Sequence, residues 1–205
     1  MAFFLSVDKK KIFKKKLKMQ LFIKNLLSSI KNNFTGLYSN LKDYFDSYGG
    51  WIEILKSPYF ALSFIANLFL YKSWTTSLWI KDVKEIIPSI LGFSLGAYAI
   101  IATFGNERFQ DLIADEEENK NTLYRKINTT FIHFILTQVL SLLLAVMCTS
   151  LLSESYGFWE IIISFIGNLV FVYSIFLSMA AVMTIFRITK IYQAYINTVK
   201  KKIKE

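Results

Sequence analysis

The sequence predicts an all-α polytopic membrane protein, in which a basic amphipathic N-terminal helix precedes a four-helix transmembrane bundle. Charged residues make up 19% of the 205 residues, yet three long stretches contain none: residues 86–105, 129–152 and 161–186. An apolar helix of about 20 residues crosses a hydrocarbon core of roughly 30 Å, because each residue rises about 1.5 Å. These three stretches therefore predict three spans, and the basic ends of the chain predict a fourth.

The first 50 residues predict a cytoplasmic region, with ten lysines against three aspartates. Seven of the lysines lie in residues 9–18, in runs with apolar residues between them: Lys9, Lys10, Lys11, Lys14, Lys15, Lys16 and Lys18. Such a cluster fixes membrane orientation, and it also attracts the anionic inner leaflet, with about 1 kcal/mol from each basic residue near the surface. Nucleic acid is a third partner for clustered lysines, but no recognition module surrounds these, and we do not expect it.

An apolar stripe follows the lysines. It holds Ile23, Leu27, Ile30, Phe34, Leu37, Leu41 and Tyr44, at alternating spacings of four and three. This spacing predicts a helix with one apolar side, which ends at Gly49-Gly50. The bilayer surface, the inner loop of the chain or the same helix in a second copy would each bury the stripe.

The topology follows from the charges near the ends of the spans. Residues 187–205 hold six basic residues and one acidic residue, so this predicted C-terminal helix also belongs in the cytoplasm. Two cytoplasmic termini require an even number of spans. The fourth is the apolar run Pro58 to Tyr71, which extends back to Ile54 if Lys56 reaches the headgroups with its ammonium group. A run of this length is alternatively a buried or re-entrant segment. With it as a span, residues 51–186 form the transmembrane domain.

This topology assigns each connection between spans to the outer or the cytoplasmic side of the membrane. Residues 72–85 form an outer loop, residues 106–128 a cytoplasmic helical loop, and residues 153–160 a short outer turn. Trp74, Trp79 and Trp159 fall on the outer side, where indoles prefer the membrane interface. The inner loop would extend the second span as a helix to about Asp115, turn at the acidic run 115–118 and return into the third span. That acidic run is a solvated tip or a docking surface.

The second span carries a face of small residues, which are Ser89, Gly92, Gly96, Ala99 and Thr103. Gly92 and Gly96 are four residues apart inside an apolar run, with no Lys-Ser or Lys-Thr after them, so a phosphate-binding loop is excluded. In lipid, small residues let two helix backbones approach closely. The face packs within one subunit or between subunits. Pro88 lies at the start of the span, where a missing N–H is tolerated.

The third and fourth spans each carry a small or polar face. We expect these faces to pack together or to line a path for water, and they comprise His133, Thr137, Ser141, Ser164, Gly167, Ser174 and Ser178. His133 is the only histidine and lies one turn into its span, as an interfacial residue or a proton sensor. Asn67 and Asn168 are uncharged amides that would bond across helices.

The sequence predicts no enzyme and no cofactor. It has no HExxH motif, no second histidine and no carboxylate within a predicted span. Gly92 to Gly96, GFSLG, matches the letters of GxSxG, but it lies inside an apolar run without the strand–turn–helix context that a nucleophilic serine of that motif requires. Cys148 is the only cysteine, which excludes an internal disulfide and a cysteine-based zinc site.

Residues Pro88 to Ile113, PSILGFSLGAYAIIATFGNERFQDLI, resemble a stretch of small multi-spanning proteins from bacterial anti-phage defence loci. A four-span chain of this size also resembles the membrane subunit of the Kiwa system and the membrane accessories of RNA-targeting CRISPR loci. The resemblance implies an inner-membrane sensor or effector that forms homo-oligomers and acts with a cytosolic protein. It transfers no functional residue. The 21 lysines against three arginines agree with a bacterial source.

The expected function is therefore that of a non-enzymatic bacterial inner-membrane protein that oligomerises and serves defence or a stress response. It would act by forming a pore or by recruiting a partner. The alternative is a channel or transporter component for a small solute or ion.

Overall fold

The protein is helical throughout the part of the chain that the structure describes. The structure is a computed structural model that describes residues 2–105, 107–114, 122–151 and 157–204, with the backbone alone for residues 2–17, 107, 111, 112, 114, 151 and 202–204. Within these ranges it has eight α-helices and no strand. They are α1 (Ala2–Tyr48), α2 (Gly50–Lys56), α3 (Pro58–Phe69), α4 (Tyr71–Thr75), α5 (Trp79–Ala102), α6 (Glu107–Ala114), α7 (Leu123–Leu151) and α8 (Phe158–Lys204). The predicted all-α class is confirmed.

The chain divides into two compact units, residues 1–45 and residues 46–205. Most of α1 forms the first unit. This helix ends at Tyr48, and the φ angles of Gly49 and Gly50 are 99° and 72°. A residue with a Cβ disfavours this left-handed region by about 1–2 kcal/mol, so the two glycines suit the turn. The stripe from Ile23 to Leu41 is exposed, and what covers it stays a prediction.

Helices α5 and α7 of the second unit run antiparallel. Lys84 near the start of α5 donates to Thr149 near the end of α7, at 2.7 Å. Tyr98 near the end of α5 donates to Asn128 near the start of α7. Residue numbers at the contacts therefore rise along α5 as they fall along α7, which is the pattern of two antiparallel helices.

Helix α8 fixes the directions of the other helices. Phe60 of α3 packs edge-on against Tyr173, and Asn67 further along α3 bonds with Asn168, so α3 is antiparallel to α8. Helix α5 is parallel to α8. Trp79 at the start of α5 donates a hydrogen bond to Ser164 near the start of α8, and Phe104, just after the end of α5, packs against Tyr192 further along α8. The chain thus runs up, down, up and down through α3, α5, α7 and α8.

Two groups of buried apolar side chains fill this bundle. The larger includes Phe109, Phe131, Phe134, Tyr173 and Leu177. The smaller includes Trp79, Val83, Ile87, Ala145 and Phe171. Many apolar residues outside these groups stay exposed, as expected for helices with a lipid-facing side.

Three described helices are long and apolar enough to cross a membrane, over the ranges Trp79–Ala102, Leu123–Ser150 and Phe158–Lys201. They support the predicted class of membrane protein. Helix α3 is apolar but has 12 residues and rises about 18 Å, which is less than a hydrocarbon core of roughly 30 Å. The fourth span at this position stays a prediction.

The predicted outer loop at residues 72–85 is wrong for its second half, because α5 already begins at Trp79. Pro88 consequently lies inside α5 rather than at the start of a helix. The physical reason is a stripe of fully buried side chains, which are Trp79, Val83 and Ile87 at spacings of four. Burial of this stripe stabilises the segment as a helix, although charged residues lie between the stripe residues in the sequence.

The predicted continuation of the second span to Asp115 is also wrong. Helix α5 ends at Ala102, Gly105 has a φ of 91°, and a separate helix α6 follows. A Cβ at Gly105 would overlap the ring of Phe109, whose side chain is fully buried. The break therefore lets α6 turn Phe109 into the core. The acidic run 115–118 and the predicted turn residues 152–156 lie outside the described residues.

Residues 187–204, predicted as a separate C-terminal helix, continue α8 without interruption. Helix α8 has 47 residues and rises about 70 Å, more than twice the thickness of a hydrocarbon core. Tyr192 and Tyr195 of this continuation pack against Phe109 of α6. The extension and α6 thus form a layer at one end of the bundle.

Candidate functional site

A pair of asparagines joins α3 and α8 in the interior. Asn67 and Asn168 are both fully buried, and Asn168 Nδ2 donates to Asn67 Oδ1 at 2.6 Å. Ser73 Oγ donates to Asn168 Oδ1 at 3.2 Å, and Asn67 Nδ2 donates to the carbonyl of Phe165 at 3.4 Å. The prediction that these two amides bond across helices is confirmed.

The indole of Trp79 locks the start of α5 onto α8. Trp79 is fully buried, and its Nε1 donates to Ser164 Oγ at 2.8 Å. Ser77 Oγ lies 3.2 Å from the same hydroxyl. The indole ring lies over Gly167, where a Cβ would come closer than 3.0 Å to two ring carbons. The ring of Trp79 is therefore buried between helices because Gly167 leaves a slot for it, and its predicted depth at the outer membrane interface stays a prediction.

The predicted polar faces of the third and fourth spans lie mostly inside the chain. Six of their seven residues are buried and Ser178 is half-buried: His133, Thr137, Ser141, Ser164, Gly167, Ser174 and Ser178. Thr137 and Ser174 donate to carbonyls of their own helices at 2.7 Å. The hydroxyls of Thr137 and Ser174 thus bond within their own helices rather than across to the other predicted face.

His133 belongs to an aromatic cluster. Its Nε2 lies 2.9 Å from the hydroxyl of Tyr173, and the ring of Tyr48 stacks on it with centroids 4.0 Å apart. Tyr48 also forms a side-chain hydrogen bond with Tyr173. Burial raises the pKa of Tyr48 above its usual 10, so this phenol stays neutral at physiological pH. No group of three metal-ligating residues occurs in the described ranges.

Sequence reasoning missed a second polar contact. Gln138 of α7 is fully buried and donates to Ser94 of α5 at 3.1 Å. An amide in an apolar run must find a partner, and this signal was available in the sequence. The Oγ of Ser141 is buried and has no hydrogen-bond partner among the described residues.

The small-residue face of α5 lies on the outside of the chain. All five residues are exposed: Ser89, Gly92, Gly96, Ala99 and Thr103. In the described chain, no heavy atom lies within 4 Å of a Cβ built at Gly92 or Gly96, apart from the helix's own nearby backbone. Thr103 bonds to the carbonyl of Ala99 in its own helix, at 3.2 Å. Within the described residues the face is therefore exposed and open at both glycines, and packing within one subunit or between subunits stays a prediction.

The lysines predicted to lie on lipid are described only in part. Lys18 is exposed. The side chains of Lys9, Lys10, Lys11, Lys14, Lys15 and Lys16 lie outside the described residues. Their contact with the anionic leaflet remains a prediction.

The arrangement defines a helical protein with three candidate membrane-spanning helices, a closed polar interior and an open small-residue face. Comparisons of the chain with protein-family models, with curated proteins and with solved structures found no match.

Proposed function

We propose that the protein is a non-enzymatic membrane anchor or sensor that self-associates through the small-residue face of α5 and recruits a cytosolic partner. The observation that carries the proposal is the open surface at Gly92 and Gly96. Lipid tails are as apolar as leucine side chains, so helices associate in a membrane mainly through close packing. Two glycines four residues apart permit the closest backbone approach.

The exterior of α5 suits such an interface. Ser89 lengthens the face by about one turn before the glycines, Ala99 and Thr103 lengthen it by about two turns after them, and all three are exposed. Exposed bulky side chains border it, among them Phe93 at 78% and Ile100 at 68%. A second α5 would place its own small-residue face against this one, so that the two backbones approach closely and the large side chains lie on either side of the contact.

The placement of the polar residues favours recruitment over a pore. The faces that would line a water path in the third and fourth spans are largely buried inside one chain. The α5 face offers only the hydroxyls of Ser89 and Thr103, and Thr103 already bonds to its own helix. Such an interface is dry, so assembled copies would present their cytoplasmic segments to a partner rather than enclose a channel.

The resemblance of Pro88 to Ile113 to membrane proteins of anti-phage loci gives this proposal its setting. In that setting the protein lies in the bacterial inner membrane with both termini in the cytoplasm, and it crosses the bilayer four times. Assembly would raise the local concentration of the bound cytosolic protein, which strengthens binding without any new contact.

Overexpression in bacteria is expected to leave the membrane potential unchanged, because most residues of the two polar faces that could line a water path are buried within one chain. A voltage-sensitive dye measures this in cells that carry the wild-type protein. Cells that make an equal amount of the Gly92→Leu, Gly96→Leu double variant are the control, since that variant cannot assemble through the face. Depolarisation by the wild type alone would contradict recruitment and establish a pore between copies.

A further inference from the structure

A polar crevice of about 520 Å³ opens where the end of α1 and the start of α2 meet α7 and α8. Four charged residues line it, two acidic and two basic: Asp46, Glu53, Lys126 and Arg187. All four belong to the second compact unit. The formal charges of the lining therefore sum to zero, but a ligand in the crevice would contact both positive and negative side chains.

A second cavity of about 300 Å³ adjoins the first and shares Tyr48, Thr130 and Arg187 with it. Its other walls are mainly apolar and include Leu177, Ala180 and Met183 of α8. The two cavities together form a groove with a charged end and an apolar end. We call this the α7–α8 groove.

The order of charged and apolar residues along the groove matches the order of headgroups and hydrocarbon across a bilayer leaflet. Arg187 directly follows Phe186, the last residue of the uncharged stretch 161–186. Lys126 likewise precedes the uncharged stretch 129–152 by one helical turn. The charged end thus lies where headgroups begin, and the apolar end lies beside residues at hydrocarbon depth.

We propose that the α7–α8 groove binds one phospholipid with a zwitterionic, primary-amine headgroup, of the phosphatidylethanolamine class. Arg187 and Lys126 would bind the phosphate, because guanidinium and ammonium groups form charge-assisted hydrogen bonds with its oxygens. Asp46 and Glu53 would accept hydrogen bonds from the ammonium group. One acyl chain would lie along Leu177, Ala180 and Met183.

The charge pattern discriminates between headgroups. An anionic headgroup without an amine would place its phosphate beside two carboxylates that nothing in the ligand neutralises. A choline headgroup carries its positive charge but has no N–H to donate to Asp46 or Glu53. A primary ammonium offers three donors and the matching charge. This site is distinct from the predicted attraction of the N-terminal lysines to anionic lipid.

Native mass spectrometry of the full-length protein tests the proposal. The purified protein is equilibrated with equal amounts of phosphatidylethanolamine, phosphatidylglycerol and phosphatidylcholine that have identical acyl chains. The expected spectrum shows one retained lipid per chain, with phosphatidylethanolamine several-fold above the other two. Equal retention of all three, or a preference for phosphatidylglycerol, would overturn the proposal.

Charge-removing variants identify the groove as the location. Arg187→Gln is expected to lower retention of phosphatidylethanolamine by about fivefold, the effect of losing one partly solvated charge-assisted hydrogen bond. Glu53→Gln is expected to remove the preference over phosphatidylcholine while that lipid still binds. Lys200→Gln, at an exposed position of α8 that is about 20 Å beyond Arg187 along the helix, is the matched control and should retain lipid like the wild type.

Unchanged retention in both groove variants would refute the assignment. Lys126 is also exposed, so Lys126→Gln tests the phosphate contact on a second helix if Arg187→Gln fails to yield folded protein. It carries the same expected loss and the same refuting outcome.

Discussion

Replacing Gly167 with alanine is expected to lower the free energy of unfolding of the bundle by about 3 kcal/mol, the upper range for overpacking a tight core. The added Cβ would overlap the indole of Trp79, which is fully buried. The ring has no room to withdraw, because its Nε1 is bonded to Ser164 at 2.8 Å. Unfolding of the purified protein in mixed micelles, followed by helix content, measures the change.

Two other glycines provide the matched controls for this experiment. Gly92→Ala and Gly96→Ala make the same change in a helix, but no atom of the described chain would meet the new Cβ within 4 Å, apart from the helix's own nearby backbone. These variants should be as stable as the wild type or up to about 1 kcal/mol more stable, since alanine favours helix over glycine. Equal stability of all three variants would show that Trp79 does not fill the slot over Gly167.

Replacing Asn168 with leucine is expected to cost about 2 kcal/mol, because it leaves buried polar groups of Asn67 and Ser73 without their partner. Substituting leucine for both asparagines should cost less than the sum of the two single changes, since no orphaned amide then remains. The same micelle unfolding experiment measures all three variants.

Asn197→Leu is the control for that series, because Asn197 lies on the same helix and is exposed. It should change the stability by less than about 0.5 kcal/mol. Strict additivity of the Asn67 and Asn168 changes would mean that the two amides do not interact.

The sequence was sufficient where a single physical requirement decides the structure. Gly49-Gly50 ends α1 because only glycine accepts the left-handed backbone at low cost. Asn67 and Asn168 pair because an unpaired amide in an apolar setting is costly. The uncharged stretches predicted three helices with the length and apolarity to span a membrane.

The sequence was insufficient where distant residues decide the structure. The burial of Trp79 was not predicted, because nothing in its local sequence indicates that Gly167 on another helix leaves space for its ring. Charged neighbours hid the helical start of α5, although the spacing of Trp79, Val83 and Ile87 was readable. The break at Gly105 depends on the burial of Phe109, which follows from the packing of α6 against α8.

The same limit applies to the small-residue face of α5. Its spacing predicts helix packing but leaves open whether the partner belongs to the same chain. Among the described residues, no other helix covers Gly92 or Gly96. This open surface is the reason for proposing that a second copy packs there.

Disulfide cross-linking in native membranes tests self-association through this face most directly. Single cysteines are introduced as Ser89→Cys and Ala99→Cys in a Cys148→Ala background, which keeps both glycines. Phe93→Cys and Ile100→Cys, at exposed positions beside the face, are the controls. A disulfide needs Cα atoms within about 7 Å, so oxidation should yield dimers at Ser89 and Ala99 and few at the control positions. Absence of dimers at Ser89 and Ala99, or equal yields at all four positions, would contradict assembly through α5.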